Sequence, residues 1–134
     1  MIVADSTLIT QFSVQGDKTE QAMAVRRKDP VWVAPPLWEY EVLNVLWSYV
    51  HFKDLPIANA LEHWNVARDL IDGRTYRMSS TEVLHLAVEA GHRGYDCQYV
   101  AVAKHLGSWL VTSDTGLLNT FPKVATSPEG FLSL

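Results

Sequence analysis

The chain begins with a short apolar strand that ends at an acid. Residues Ile2, Val3 and Ala4 are followed directly by Asp5. An apolar run of this length, bounded by a polar turn, is typical of a strand buried on both faces of a parallel sheet. The carboxyl ends of such strands are where open α/β sheets bind their ligands. Asp5 is therefore a candidate site residue, and a turn or helix cap is the alternative role for an aspartate in this place.

Strand-like and helical segments alternate along the rest of the chain. Apolar runs predict further strands at 31–34, 75–78, 109–112 and 124–126. Helical patterns and caps predict helices at 18–27, 37–52, 55–71, 80–90 and 96–106. Alternation of this kind favours right-handed crossovers and a parallel sheet in a three-layer α/β/α arrangement. A length of 134 residues predicts one domain, spanning residues 1–134.

Composition limits the compartment and the partners. The only cysteine is Cys97, and no apolar run approaches the length of a membrane span, so we expect a cytoplasmic protein with no membrane partner. The net charge of -4 argues against simple electrostatic binding of nucleic acid. That argument weakens if four carboxylates bind metal, because the remaining acids then balance the basic residues.

Four acids occupy positions that a parallel sheet would bring together. Asp5 ends the first strand, Glu41 lies early in the helix after the second, Asp96 begins a helix, and Asp114 follows a late strand. If the first and fourth strands are neighbours, Asp5 and Asp114 flank the point where the strand order reverses. Each acid alone has an ordinary role: a cap for Asp96, a turn for Asp114, a solvated or hydrogen-bonded helix position for Glu41.

Taken together, the four acids predict a metal site. Converging carboxylates repel one another and lose hydration, so a fold retains them when a cation neutralises them. Oxygen ligands suit Mg²⁺ or Mn²⁺, and a pair of such ions can position an attacking water in phosphodiester cleavage. The nearby polar residues that could orient the carboxylates are Ser6, Thr7, Asn44, Thr112 and Ser113.

Four segments carry a resemblance to a known family. They are the stretch at 3–9 around Asp5, the stretch at 35–46 around Glu41, the stretch at 95–103 that begins Tyr95-Asp96, and the stretch at 110–114 that ends in Asp114. In this order and spacing the chain resembles the PIN-domain ribonucleases, particularly the VapC-type toxins of toxin–antitoxin pairs. The likeness spans nearly the whole chain. One departure is Thr7, where the family usually has Ser or Asn, and another is Cys97, where a small residue is usual.

The resemblance implies a fold, an activity and partners. The fold would be a PIN-like domain with strand order 3-2-1-4-5. The activity would be Mg²⁺- or Mn²⁺-dependent endonucleolytic hydrolysis of RNA by a metal-activated water, with Asp5, Glu41, Asp96 and Asp114 as catalytic metal ligands and Thr112 as a helper. The partners would be an RNA substrate, a second copy in a homodimer, and a cognate antitoxin in an apolar groove. We expect Trp38 and Trp47, on a helix that is apolar on most sides, to form that groove.

Other roles stay open. Five arginines are candidates for contact with RNA phosphates, with solvated surface as the alternative for each: Arg26, Arg27, Arg74, Arg77 and Arg93. Glu82 and His85 form a single E-x-x-H pair, whereas a di-iron bundle needs two, which favours a surface or capping role. The main alternative function is a catalytically silent PIN-like interaction module. A more distant one is metal-dependent hydrolysis of DNA or small phosphates.

Overall fold

The computed structural model describes residues 1–134 and contains four strands and eight helices. The strands are β1 (Ile2–Ala4), β2 (Trp32–Val33), β3 (Leu110–Val111) and β4 (Ala125–Thr126). The helices are α1 (Ser6–Ser13), α2 (Thr19–Lys28), α3 (Leu37–Lys53), α4 (Ile57–Ile71), α5 (Ser80–Ala90), α6 (Gly94–Leu106), α7 (Thr115–Thr120) and α8 (Pro128–Leu132). None of these helices combines the length and apolarity that crossing a membrane requires.

The strands form one parallel sheet in the order β2-β1-β3-β4. All three residues of β1 are buried, as the continuous apolar run predicts for a strand with neighbours on both edges and helices on both faces. Helices α1 and α6 both pack against β1. The predicted three-layer α/β/α class is confirmed, and so is the pairing of the first strand with the strand that precedes Asp114.

The predicted fifth strand, at 75–78, is wrong as a strand. Only one parallel bridge forms there, between Ala34 and Thr75. Ala34 donates to the Arg74 carbonyl at 3.2 Å and accepts from the Tyr76 amide at 2.9 Å. Further donors would have to come from residues 35 and 36, which are both prolines and have no N–H. The order 3-2-1-4-5 is thus reduced to four strands, with the bridge in the place of the outermost one.

Helix α3 buries one side and exposes another. Trp38 is only 2% exposed, stacks on Trp64 at 5.3 Å between ring centroids, and belongs to the core, whereas Trp47 is 55% exposed. Nine residues of helix turn the chain through two and a half turns, so these two tryptophans point in opposite directions. The prediction that Trp38 offers surface to a partner is therefore wrong. Trp47 lines an apolar groove of about 190 Å³ between α3 and α4.

Candidate active site

The register of the sheet places Asp5 next to Thr112. Ala4 lies opposite Val111, so the next residues of β1 and β3, Asp5 and Thr112, emerge together at the carboxyl edge. The buried Thr112 hydroxyl donates a hydrogen bond to Asp5 Oδ2. Asp5 Oδ1 accepts from the Leu8 amide at 2.9 Å, which makes Asp5 the N-cap of α1. Asp5 therefore fills the cap role that was its alternative and also faces the point where the strand order reverses.

The environment of Asp5 disfavours its charged form. Burial raises the pKa of this carboxyl to about 6, against the lowering effect of the hydrogen bonds from Thr112 and Leu8. The negative charges of Glu41 and Asp114 raise it further. Three of the four predicted acids therefore lie close enough to repel one another electrostatically. Such an arrangement is stabilised by a cation.

Glu41 is held by a residue that the sequence analysis did not select. The phenol of Tyr99 donates to Glu41 Oε1 at 2.5 Å, joining α6 to α3. Tyr99 is only 2% exposed. Burial and the neighbouring charges of Glu41 and Asp5 raise the pKa of its phenol, so the group stays a neutral donor. Its position three residues after Asp96, on the same face of α6, is the sequence signal that could have found it.

Asp114 and Asp96 complete the set of four acids, and each has its own contacts. Asp114 caps α7 by accepting from the Leu117 amide at 2.9 Å, and its own amide donates to Thr112 Oγ1 at 3.0 Å. Asp96 lies in the first turn of α6, whose N-cap is Arg93, so Asp96 is not a cap. Instead, Asp96 Oδ2 lies 3.0 Å from His92 Nε2. Asp96 is not among the charges that raise the Asp5 pKa, whereas Glu41 and Asp114 are.

The donor chemistry fits a hard divalent cation, whereas the side chains are spaced too widely to enclose one ion. All four acids supply oxygen ligands, and the perturbed Asp5 carboxyl is the group that a cation would relieve. No three acidic, histidine or cysteine side chains are near enough to one another to enclose one ion as they stand. Asp5 is held in place within the fold, because both of its carboxylate oxygens accept hydrogen bonds.

The other predicted helpers differ in their surroundings. Thr112 contacts Asp5, and the pKa of Tyr99 shows that Ser6 lies beside its phenol. The remaining three have exposed or partly exposed side chains with no hydrogen bond to the four acids: Thr7, Asn44 and Ser113.

The arginines proposed for RNA contact fall into two groups. Arg74 donates to the carbonyls of Trp32 and Leu70, at 3.1 and 2.7 Å, and so belongs to the fold rather than to a free basic surface. Arg26 donates to the carbonyl of Pro30. The three whose side chains remain exposed to solvent are Arg27, Arg77 and Arg93.

Comparisons with known proteins show which proteins the chain resembles. No protein-family model matches the chain. Ribonuclease VapC3 of Pyrobaculum aerophilum is 29% identical over 129 residues, which are 93% of this chain and 98% of that protein. The crystal structure of PAE2754 from Pyrobaculum aerophilum superposes with a TM-score of 0.76 at 26% identity, covering 98% of this chain and 93% of the other. These likenesses confirm that the chain resembles the VapC-type PIN-domain ribonucleases, as its four acidic segments indicate.

Proposed function

We propose that the chain is a divalent-cation-dependent endoribonuclease, the toxin of a toxin–antitoxin pair. The observation that carries the proposal is the buried Asp5, whose pKa is raised to about 6 by burial, with Glu41 and Asp114 adding to the rise. Keeping this aspartate charged costs free energy, and such a residue is retained where a bound cation offsets that cost. The ribonuclease named among its relatives, matched over nearly the full length of both chains, supports RNA as the substrate.

Hydrogen bonds orient three of the acids in turn. Thr112 and the Leu8 amide hold Asp5, Tyr99 holds Glu41, and the Leu117 amide holds Asp114. Mg²⁺ or Mn²⁺, when bound, would supply Lewis acidity toward a water and a phosphodiester oxygen. The residues that would hold it are Asp5, Glu41, Asp96 and Asp114. The protein's own contribution is to present these oxygens and, through the hydrogen bonds described above, to keep their lone pairs directed at the bound cation.

The surroundings favour a polymeric substrate over a small one. Cavities of about 410 and 430 Å³ lie elsewhere, between the α1–α2 turn and α3 and between α5 and α6, and neither is lined by any of the four acids. Three of the four acids are partly exposed to solvent: Glu41, Asp96 and Asp114. Arg93 lies beside Asp96, with its guanidinium 3.6 Å from Asp96 Oδ2 and its side chain 83% exposed, where it can meet a phosphate. This favours RNA over small phosphates.

Two exposed apolar surfaces support the proposed partners. The α3–α4 groove is lined only by hydrophobic side chains, including Trp47, Ile57 and Leu61, and suits the apolar side of an antitoxin segment. Leu84 and Val88 on α5 are 65% and 74% exposed, which supports a homodimer. We place the activity in the cytoplasm, where the free thiol of Cys97 would remain reduced.

Cleavage of structured RNA by the purified, partner-free chain tests the proposal. We expect cutting with Mn²⁺ or Mg²⁺, none with chelator, and a loss of at least about a hundredfold for Asp5→Asn. Asp69→Asn, which removes an exposed carboxylate on α4, is the matched control and should cut as well as wild type. Residual cutting that is equal in wild type and Asp5→Asn would indicate a contaminating nuclease and refute the proposal.

A substrate panel separates the remaining alternatives. Single-stranded DNA and p-nitrophenyl phosphate, assayed beside RNA, distinguish a ribonuclease from a general phosphodiesterase or phosphatase. We expect measurable hydrolysis of RNA, and no measurable hydrolysis of single-stranded DNA or p-nitrophenyl phosphate. A chain that binds its partner tightly but hydrolyses none of the three would be the interaction module instead.

A further inference from the structure

His92 lies between the helix that carries Asp96 and the helix that follows Asp114. An ionised carboxylate can only accept hydrogen bonds, so His92 Nε2–H donates to Asp96 Oδ2 across 3.0 Å. Thr120 Oγ1, at the end of α7, lies 3.4 Å from the other ring nitrogen, Nδ1. Phe121 packs edge-on against the imidazole at 5.7 Å between centroids. The ring is thereby fixed on both nitrogens and on one face.

The same imidazole borders Asp114. A Cβ added to Gly116 would lie 3.1 Å from Asp114 Oδ1 and 3.4 Å from His92 Cε1. The carboxylate and the ring thus both approach the α-carbon of Gly116, and the absence of a side chain there lets them do so. His92 is therefore a physical link between Asp96 and the part of α7 that Asp114 caps.

We propose that His92 is a positioning residue that holds the Asp96 carboxylate in place, through its contacts with α7, for binding of a divalent cation. This inference rests on the proposed function. Arg93 is the only other side chain paired with Asp96, and it is 83% exposed at 3.6 Å, so solvent weakens its hold. The orientation of Asp96 accordingly depends on His92, whose side chain is 14% exposed. Groups that orient a ligating carboxylate typically contribute about 10- to 100-fold to metal affinity.

Calorimetric titration of Mn²⁺ into the full chain tests this directly. We expect His92→Ala to weaken binding at least about tenfold. His92→Gln should recover most of the affinity, because its amide nitrogen takes the place of Nε2. His92→Asn should not, since its amide reaches only as far as Nδ1. His85→Ala, which removes an exposed histidine on α5, is the control and should bind Mn²⁺ as wild type does.

Melting temperatures measured without metal keep the result interpretable. If His92→Ala unfolds at the titration temperature, the comparison of His92→Gln with His92→Asn decides, and equal affinities of these two variants would overturn the proposal. Unchanged or tighter Mn²⁺ binding by a folded His92→Ala would overturn it as well. Wild-type binding and RNA cleavage would then stand, whereas absence of both in wild type would refute the proposed function itself.

Discussion

At the residue scale, Asp5 makes stability depend on pH in an unusual direction. Its pKa is 3.8 when unperturbed and about 6 in the fold, so the folded protein holds this proton more tightly than the unfolded chain does. Raising the pH through that window removes the proton at the expense of the folded state. Without metal, Asp5 therefore lowers the free energy of unfolding as the pH rises from about 4 to about 6, by about 3 kcal/mol in all.

Urea unfolding in chelator at a series of pH values would show this dependence. We expect the stability of Asp5→Asn relative to wild type to increase between pH 4 and pH 7 by about 2–3 kcal/mol and to stay level above that. Asp69→Asn serves as the control, and its stability should follow wild type throughout. Parallel curves for Asp5→Asn and wild type would mean that Asp5 titrates as an ordinary carboxylate.

Tyr99 offers a second test at this scale, because one atom can be removed. Tyr99→Phe keeps the buried ring and deletes the donor to Glu41 Oε1. We expect a loss of about 1–3 kcal/mol in stability, because a half-buried carboxylate loses its hydrogen bond. We also expect the Mn²⁺ concentration that gives half-maximal RNA cleavage to rise roughly tenfold. Tyr49→Phe, on the same helix as Glu41, is the control. Wild-type metal dependence in Tyr99→Phe would show that Glu41 needs no such support.

The sequence predicts where the acids lie in the fold better than it predicts which residues contact them. Asp5 and Asp114 follow strands, so their common edge could be inferred from the pattern alone. Tyr99 contacts a residue 58 positions away, and His92 contacts Thr120, 28 positions away. Such contacts depend on how helices pack, which local periodicity does not encode.

At the element scale, the helix predicted at 80–90 forms and the strand predicted at 75–78 does not. Ser79 caps this helix, α5, by accepting from the Glu82 amide at 3.2 Å. Gly107 ends α6 in the left-handed conformation, with φ at +62°. The strand at 75–78 was predicted from its own residues, whereas the missing donors belong to the two prolines of the neighbouring segment.

Helix α3 shows the same limit and gives a prediction. An all-round apolar helix does not reveal which side is left uncovered. The structure leaves Trp47 uncovered, so we expect Trp47→Ser to weaken capture of the proposed antitoxin, when the two are co-expressed, at least about tenfold, as loss of a central aromatic anchor does. Tyr40→Ser, which removes a 71% exposed aromatic outside the groove, is the control. Equal capture by both variants would mean that the proposed antitoxin binds elsewhere on this chain.

At the scale of the whole molecule, the fold brings distant segments to one edge of the sheet. The strand order reverses beside β1, and the residues that follow β1 and β3 meet there. Glu41 lies on α3, in the first half of the chain, and Asp96 lies on α6, in the second half. The molecule thus concentrates negative charge at one edge of the sheet while its net charge is -4, and a bound cation would make that edge attractive to a phosphate.

The rate of RNA cleavage across a titration of Mn²⁺, for wild type beside Asp5→Asn, tests this account most directly. The wild-type rate should rise from zero in chelator to a plateau as the site fills. Asp5→Asn should stay at least about a hundredfold below that plateau at every Mn²⁺ concentration. A wild-type rate that does not depend on Mn²⁺ or Mg²⁺, or an Asp5→Asn curve that coincides with it, would contradict the central claim.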